Sequence, residues 1–396
     1  MAAPLHHSGE RRISHHIVVD FTRDHDPTVR LSRLVGVEIV INAVGILHER
    51  GVQTFDALHA QAPIALFSAC RQAQVARVIQ ISALGADEQA HSHYHTSKKT
   101  ADDFLRTLDL DWIIVQPSLV YGTDGASAAL FRRLAVLPWI PLPGTGAQIV
   151  QPIHIDDLAA VVVALVAGAG AQRRTLACVG PVSLSWRQML VTLRAGLNLA
   201  PARFVSIPLA LVRLAAHIGA VVPGALLRRE TLAMLERGNH APADAVSALL
   251  GRAPRAVAEF INPANAALER GAAHWYWAEW LLRSALALVW IVTGVLALGV
   301  YPRSGSYHLL ARVGASGIFA SVLLYGAAAL DLALGMATLW VSRGRWLWRL
   351  QIGLIGMYSL IIAWRLPEFW LHPFGPLLKN IPILAILAVL LLMGKR

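Results

Sequence analysis

At 396 residues and 42.9 kDa, with a mean hydropathy of +0.52, the chain has room for two or three domains and is too apolar to be wholly soluble. Its formal charge of +11 is uneven: residues 281–396 carry ten Lys or Arg against two acids, and residues 1–280 carry 25 against 22, so the excess flanks apolar segments and does not form the clustered basic face of a nucleic-acid reader. Two distant cysteines, Cys70 and Cys178, exclude a disulfide scaffold, and histidines such as His91 and His93 lack an acidic or Cys partner at metal-ligand spacing, so no metal is expected.

The opening MAAPLHHSGERRISHH has no apolar stretch of signal-peptide type, so the first 270 residues are expected in the cytosol. Next come short apolar runs that read as strands: IVVD (17–20), VEIVINAVG (37–45), ARVIQIS (76–82) and LDWIIVQPS (110–118). Helical patterns at 55–74, 96–107 and 156–167 alternate with them, which predicts an α/β fold with a doubly wound parallel sheet over residues 1–180. Ligands of such sheets bind at the carboxyl ends of the strands. Residues 181–270 read as a helical substrate lobe, with a helix at 207–222 lying on a membrane surface as the alternative.

From residue 275 four apolar segments follow, at 280–300, 314–341, 346–364 and 377–393, which predict an all-α four-helix transmembrane domain over 275–396 in the lipid bilayer. Trp275, Trp277, Trp280, Trp340, Trp346, Trp348, Trp364 and Trp370 cluster at their ends as an interfacial belt would. Arg343, Arg345, Arg349, Lys395 and Arg396 favour the cytosol for both termini, although Arg303, Arg312 and Lys379 weaken the contrast. Asp331 falls inside the second segment, where a carboxylate either bonds neighbouring helices or serves a quinone or a proton.

The densest chemistry lies in YHTSKK (94–99), which holds two of the chain's four lysines. Tyr94 and Lys98 stand at i and i+4, so on a helix they share a face, and an ammonium beside a phenol favours the phenolate. Composition alone produces about 0.07 such Y-x-x-x-K pairs in a chain of this make-up. Ser82 ends the strand twelve residues upstream, where its hydroxyl can polarise a substrate carbonyl. Ser82, Tyr94 and Lys98 are therefore the candidate catalytic set, with Tyr94 as acid/base.

With these residues the chain resembles the short-chain dehydrogenase/reductase superfamily, in its atypical, epimerase-like branch, over residues 17–180. The resemblance implies a Rossmann-like fold, NAD or NADP as cofactor, and hydride transfer. It also implies cofactor contacts from Asp20 and Phe21 in VVDF (18–21), from Asn42, Ala43 and Gly45 in INAVG (41–45), from Lys98, and from Pro117, Ser118 and Val120 in PSLVYG (117–122). QPIHIDDLA (151–159) resembles a further signature of the branch. Residues 42–260 look closer still to the branch containing the NAD(P)-binding accessory subunit of respiratory complex I, and the apolar segments resemble the DoxX-like membrane domain. The two resemblances together imply a quinone- or lipid-related substrate and a respiratory-chain or quinone partner at the inner membrane.

The superfamily's glycine-rich G-x-x-G-x-x-G turn, which holds the pyrophosphate, is not found in the chain; roughly 30–50 residues, the size of one strand–helix–strand unit, are expected to be missing before Ile17. Either the start lies further upstream or the protein lacks that anion site. His59 stands where the branch often has Asn, Gln116 where Arg is common, and a working hydroxyl one or two positions after Ser82 would find Ala83 and Leu84. Three readings follow: a membrane-anchored reductase, a nucleotide-holding accessory protein without catalysis, and a quinone-linked redox module in the DoxX-like part.

Overall fold

β-branched and aliphatic runs bounded by Gly, Pro and Asp make the strands, and the longer patterned segments between them make the helices that cover the sheet. The computed structural model describes residues 17–170, 172–221, 229–341, 344–373 and 375–394; His6, His7, His15, His16, Arg343, Lys395 and Arg396 lie outside them. Contacts divide the chain into one unit ending at Arg270 and a second beginning at Gly271.

In the first unit α1 (Pro27–Leu31) and β1 (Ile39–Asn42) precede a π-helical turn, Asp56–Gln61, that runs into α2 (Ala62–Gln72). Then come β2 (Arg77–Ile81), α3 (His93–Thr107), β3 (Asp111–Pro117), β4 (Val120–Tyr121), α4 (Ala126–Ala135) and β5 (Trp139–Pro143). β6 (Ile149–Val150), β7 (Ile153–His154), α5 (Ile155–Val166) and β8 (Arg174–Cys178) follow. β9 (Leu184–Ser185), α6 (Trp186–Gly196), β10 (Arg203–Ile207), α7 (Leu209–Val221), α8 (Arg229–Arg237) and α9 (Asp244–Leu250) complete it.

The main sheet has the order β1-β2-β3-β8 and is parallel throughout, with Ile41 opposite Ile79, Ile79 opposite Ile113 and Val115 opposite Leu176. Alternation along the strands sends Val78 and Ile114 to one face, against Phe67 of α2 and Leu105 of α3, and Ile79, Ile113 and Val115 to the other, against Leu158, Val161 and Leu165 of α5. This is the Rossmann-like, doubly wound arrangement. Both cysteines are fully buried in it, Cys70 with the first cluster and Cys178 with the second.

One expected strand does not form. Residues 17–20 join no ladder: the Asp20 carboxylate accepts from Thr22 N (3.0 Å) and Thr22 Oγ1 (2.7 Å), and the Asp20 carbonyl accepts from Arg23 N and Asp24 N, so the chain turns. Ile17 and Val18 are exposed. Sequence reading also passed over β8, whose RTLAC run starts with two polar residues and is short of apolar signal.

The second unit takes up α10 (Ala266–Val295), which continues as a π-helical turn to Val300, and then α11 (Arg303–Arg312), α12 (Gly317–Trp340), α13 (Arg345–Arg365) and α14 (Asn380–Met393). Three of these, 266–300, 317–340 and 345–365, are long and apolar enough to cross a membrane; α14, at 14 residues, reaches about 21 Å of the roughly 30 Å hydrocarbon core. Trp340, Trp346 and Trp364 are exposed as a belt requires, whereas Trp348 is buried in the bundle. Small residues bring α10 and α12 together: a Cβ on Gly335 would lie 2.6 Å from Ile291 Cγ1, and one on Gly294 would lie 2.9 Å from the Ala328 carbonyl. Asp331 lies on α12 with Oδ1 buried and no hydrogen-bond partner among the described residues.

Arg283 of α10 closes the end of α12. Its guanidinium, nearly buried between Trp280 and Trp348, donates to the carbonyls of Thr338 (2.9 Å), Leu339 (3.2 Å) and Val341 (2.9 Å), groups that a helix end leaves without intrahelical partners. Arg283→Ala is expected to destabilise this unit by about 3 kcal/mol, since each stranded buried carbonyl costs on the order of 1 kcal/mol or more. Thermal unfolding in detergent should show the loss, and Arg283→Lys should recover only part of it, because Nε and Nη2 reach the three carbonyls from two separate points and a lysine offers its donors from a single nitrogen.

Candidate functional site

The carboxyl ends of β1, β2 and β3 and the first turns of α3 and α5 surround a cleft of about 570 Å³. Ser92 caps α3 by accepting from His95 N, which starts the helix just before Tyr94 and turns Tyr94, Lys98 and Asp102 onto one stripe. Ser82, Tyr94 and Lys98 all line the cleft. Most of the remaining wall is apolar: Ile41, Ile46, Leu47 and Ile81 from the strand ends, and Ile155, Leu158, Val162 and Val163 from α5.

Lys98 is 4% exposed and donates to the carbonyls of Val44 and Ile81, both at 3.1 Å. An ammonium has three N–H donors, so one is left over from these two contacts for a ligand hydroxyl. Gly45 makes room for it: a Cβ there would come 3.2 Å from Lys98 Nζ and 3.6 Å from His59 Nε2. Burial brings the Lys98 ammonium down to about 8. The expected coupling to the phenol differs from what is seen: burial pushes Tyr94 up to about 12, and Lys98, turned onto backbone carbonyls, does not pull it back. Tyr94 is therefore a protonated phenol at working pH, packed edge-on against Phe55, His59 and His95.

Ser82 is 4% exposed and its hydroxyl lies 2.5 Å from Asp102 Oδ2. Of the other candidates, Ala43, Gly45, Pro117 and Val120 line the cleft. Asn42 is buried behind it, donating to Gln80 Oε1 at 2.7 Å and accepting from Val44 N. Ser118 is not among the lining residues; it donates to the Gln151 carbonyl at 2.6 Å. Nor are Asp20 and Phe21, which sit in the turn before α1, with Arg30 stacked on the Phe21 ring. Gln116 donates to the Ala86 carbonyl, and Asp157 of the QPIHIDDLA stretch is buried, accepting from Arg252 and from Arg255 N.

Two residues escaped sequence reading in their roles. Asp102 had no motif of its own. His59 is fully buried; its Nε2 accepts from Ile46 N (2.9 Å), which leaves Nδ1 to donate to Ser97 Oγ (3.1 Å), and Ser97 in turn donates to the Tyr94 carbonyl. The histidine thus ties the loop after β1 to the helix that carries Tyr94. Burial and the Lys98 charge bring His59 down to about 3, far below the ordinary value of 6.5. A neutral buried histidine favours folding above 6.5, and that contribution is lost progressively as pH falls towards 3, about 2 kcal/mol of it by pH 5. His59→Asn, which can still accept from Ile46, should therefore lose less thermal stability than the wild type between pH 7 and 5.

Comparison with known proteins finds relatives for both parts of the chain. Residues 17–168 match the NAD(P)H-binding family model and residues 287–388 that of the DoxX-like family. A ceramide reductase of Caulobacter vibrioides is 33% identical over 136 residues, 34% of this chain and 42% of that protein. The mitochondrial NADH dehydrogenase [ubiquinone] 1 alpha subcomplex subunit 9 of Mus musculus is 27% identical over 144 residues, 36% of this chain and 38% of that one. The aligned part thus spans about two fifths of the length of these curated relatives. Among solved structures, a nucleoside-diphosphate-sugar epimerase from Staphylococcus aureus shares the fold, with a TM-score of 0.50 and 17% identity over 61% of this chain and 81% of its own. The protein thus joins an NAD(P)H-binding domain of Rossmann-like fold, similar in part to the complex I subunit, to a C-terminal DoxX-like domain.

Proposed function

We propose that the protein is a membrane-anchored NAD(P)-dependent reductase of an apolar carbonyl compound, lipid-derived or quinone-related. The observation that carries this reading is one cleft that places a protonated phenol, Tyr94, and a buried ammonium, Lys98, against an otherwise apolar wall. A nicotinamide cofactor, when bound, supplies the hydride. Lys98 would hold its ribose through the remaining N–H, with Gly45, Ala43, Pro117 and Val120 allowing close approach. Tyr94, protonated at neutral pH, gives its proton to the oxygen that gains negative charge. Ser82 hydrogen-bonds the same oxygen. The similarity to a ceramide reductase supports a lipid substrate, and the apolar spans support a membrane location, for which we propose the inner membrane with the first unit in the cytoplasm.

A second reading, an accessory protein that holds a nucleotide without turning it over in a respiratory complex, draws on the internal partners of Ser82 and Lys98 and on the likeness to a complex I subunit. The full chain in nanodiscs, given NADH or NADPH with a ketone-bearing long-chain ceramide or with decylubiquinone, decides between them. Hydride transfer that falls about 100-fold or more in Tyr94→Phe is expected. No transfer to either probe, or full activity in Tyr94→Phe, would favour the accessory reading.

A further inference from the structure

The proposed reaction leaves one buried acid unused. Asp102 is fully buried on α3, one turn beyond Lys98, and its Oδ2 meets the Ser82 hydroxyl at 2.5 Å. Its other oxygen, Oδ1, is buried without a hydrogen-bond partner among the described residues. A serine hydroxyl has a single proton, and a carboxylate can only accept. With Asp102 ionised, Ser82 therefore spends its proton on Asp102 and has none to offer a carbonyl oxygen in the cleft.

We propose that Asp102 is a positioning residue that sets the direction of the Ser82 hydroxyl: as a carboxylate it accepts the hydroxyl's hydrogen bond, and as a carboxylic acid it donates to Ser82 Oγ and turns the hydroxyl proton towards the cleft. The inference rests on the reading that Ser82 polarises the substrate. One solvent proton is taken up by Asp102 for each switch, and no covalent bond to carbon changes. The groups facing Asp102 are Lys98 and Arg106 from its own helix and Gln80 and Ser82 from β2 and its end. On the other elements packed against α3, His59 is engaged with Ile46 and Ser97, Cys70 lies in the apolar cluster with Ala101 and Leu105, and Asp111 of β3 is paired with Arg77. Burial outweighs Ser82, Arg106, Lys98 and the Gln80 amide and lifts the carboxyl to about 6, inside the range where a reductase can be assayed.

The test is the pH profile of hydride transfer by the full chain, with the probe that supports turnover, between pH 5 and 8.5. The wild-type rate should fall up to tenfold per pH unit above about 6, a limb separable from Lys98 near 8, His95 near 4 and Tyr94 near 12. Asp102→Asn, whose amide donates to Ser82 Oγ at every pH, should lose that limb, and Ser82→Ala should be slower and lack it too. A limb that persists in Ser82→Ala, or a wild type with no limb near 6, overturns the proposal even where Asp102→Asn fails to fold. An inactive wild type removes the parent reading instead. Infrared titration then decides separately: a carboxylic-acid carbonyl band that grows as pH falls through 6, disappears in Asp102→Asn and shifts in Ser82→Ala is expected, and its absence, or its indifference to Ser82→Ala, rejects the switch.

Discussion

An ammonium held between two backbone carbonyls is the constraint on which the site depends. Lys98 Nζ spans Val44 and Ile81, the residues where the chain leaves β1 and β2, and so fastens α3 across the carboxyl edge of the sheet. Ser82 follows Ile81 directly, Gly45 follows Val44 directly, and Tyr94 lies one turn back on the same helix face; the positions of all three are set by that single cation. A guanidinium is planar and wider, and the 3.2 Å between Lys98 Nζ and a Gly45 Cβ position leaves little space for one. The scarcity of lysine in the chain makes its use here informative.

Around this point the unit is built in a conventional order. The sheet aligns three strand ends, His59 and Ser97 brace the loop after β1 against α3, and α5 supplies the greasy side of the cleft. The second unit meets a different requirement. The last carbonyls of α12 have no intrahelical partner, and Arg283 supplies the donors from a neighbouring helix while Trp280 and Trp348 cover its charge. Both units thus seat a buried cation on main-chain carbonyls, Lys98 in the first and Arg283 in the second.

Much of this was legible in the sequence, for physical reasons that differ from residue to residue. Strands β2 and β3 are buried on both faces and so read as continuous apolar runs, and Tyr94 with Lys98 announces itself by helical spacing. Residues 17–20 carry the same apolar signal, but Asp20 and Thr22 form a local turn whose hydrogen bonds compete with any ladder. β8 hides because its partner β3, not its own composition, pays for its order. The apolar segments after 275 were plain, while the shortness of α14 follows from where the helix starts, at Asn380. Asp102 could not be recognised because a carboxylate on a helix ordinarily faces water; only the sheet above it shows that this one is buried against Ser82.

The burial of the two cysteines has a chemical consequence. Their thiols are pushed up to about 12 by the apolar clusters around them, so at neutral pH almost none of either is thiolate. Thiolate is the species that peroxides, disulfides and electrophiles attack. Neither thiol of the folded chain is thus open to exchange with the thiol redox pool, and alkylation of Cys70 or Cys178 requires that the fold around it open first.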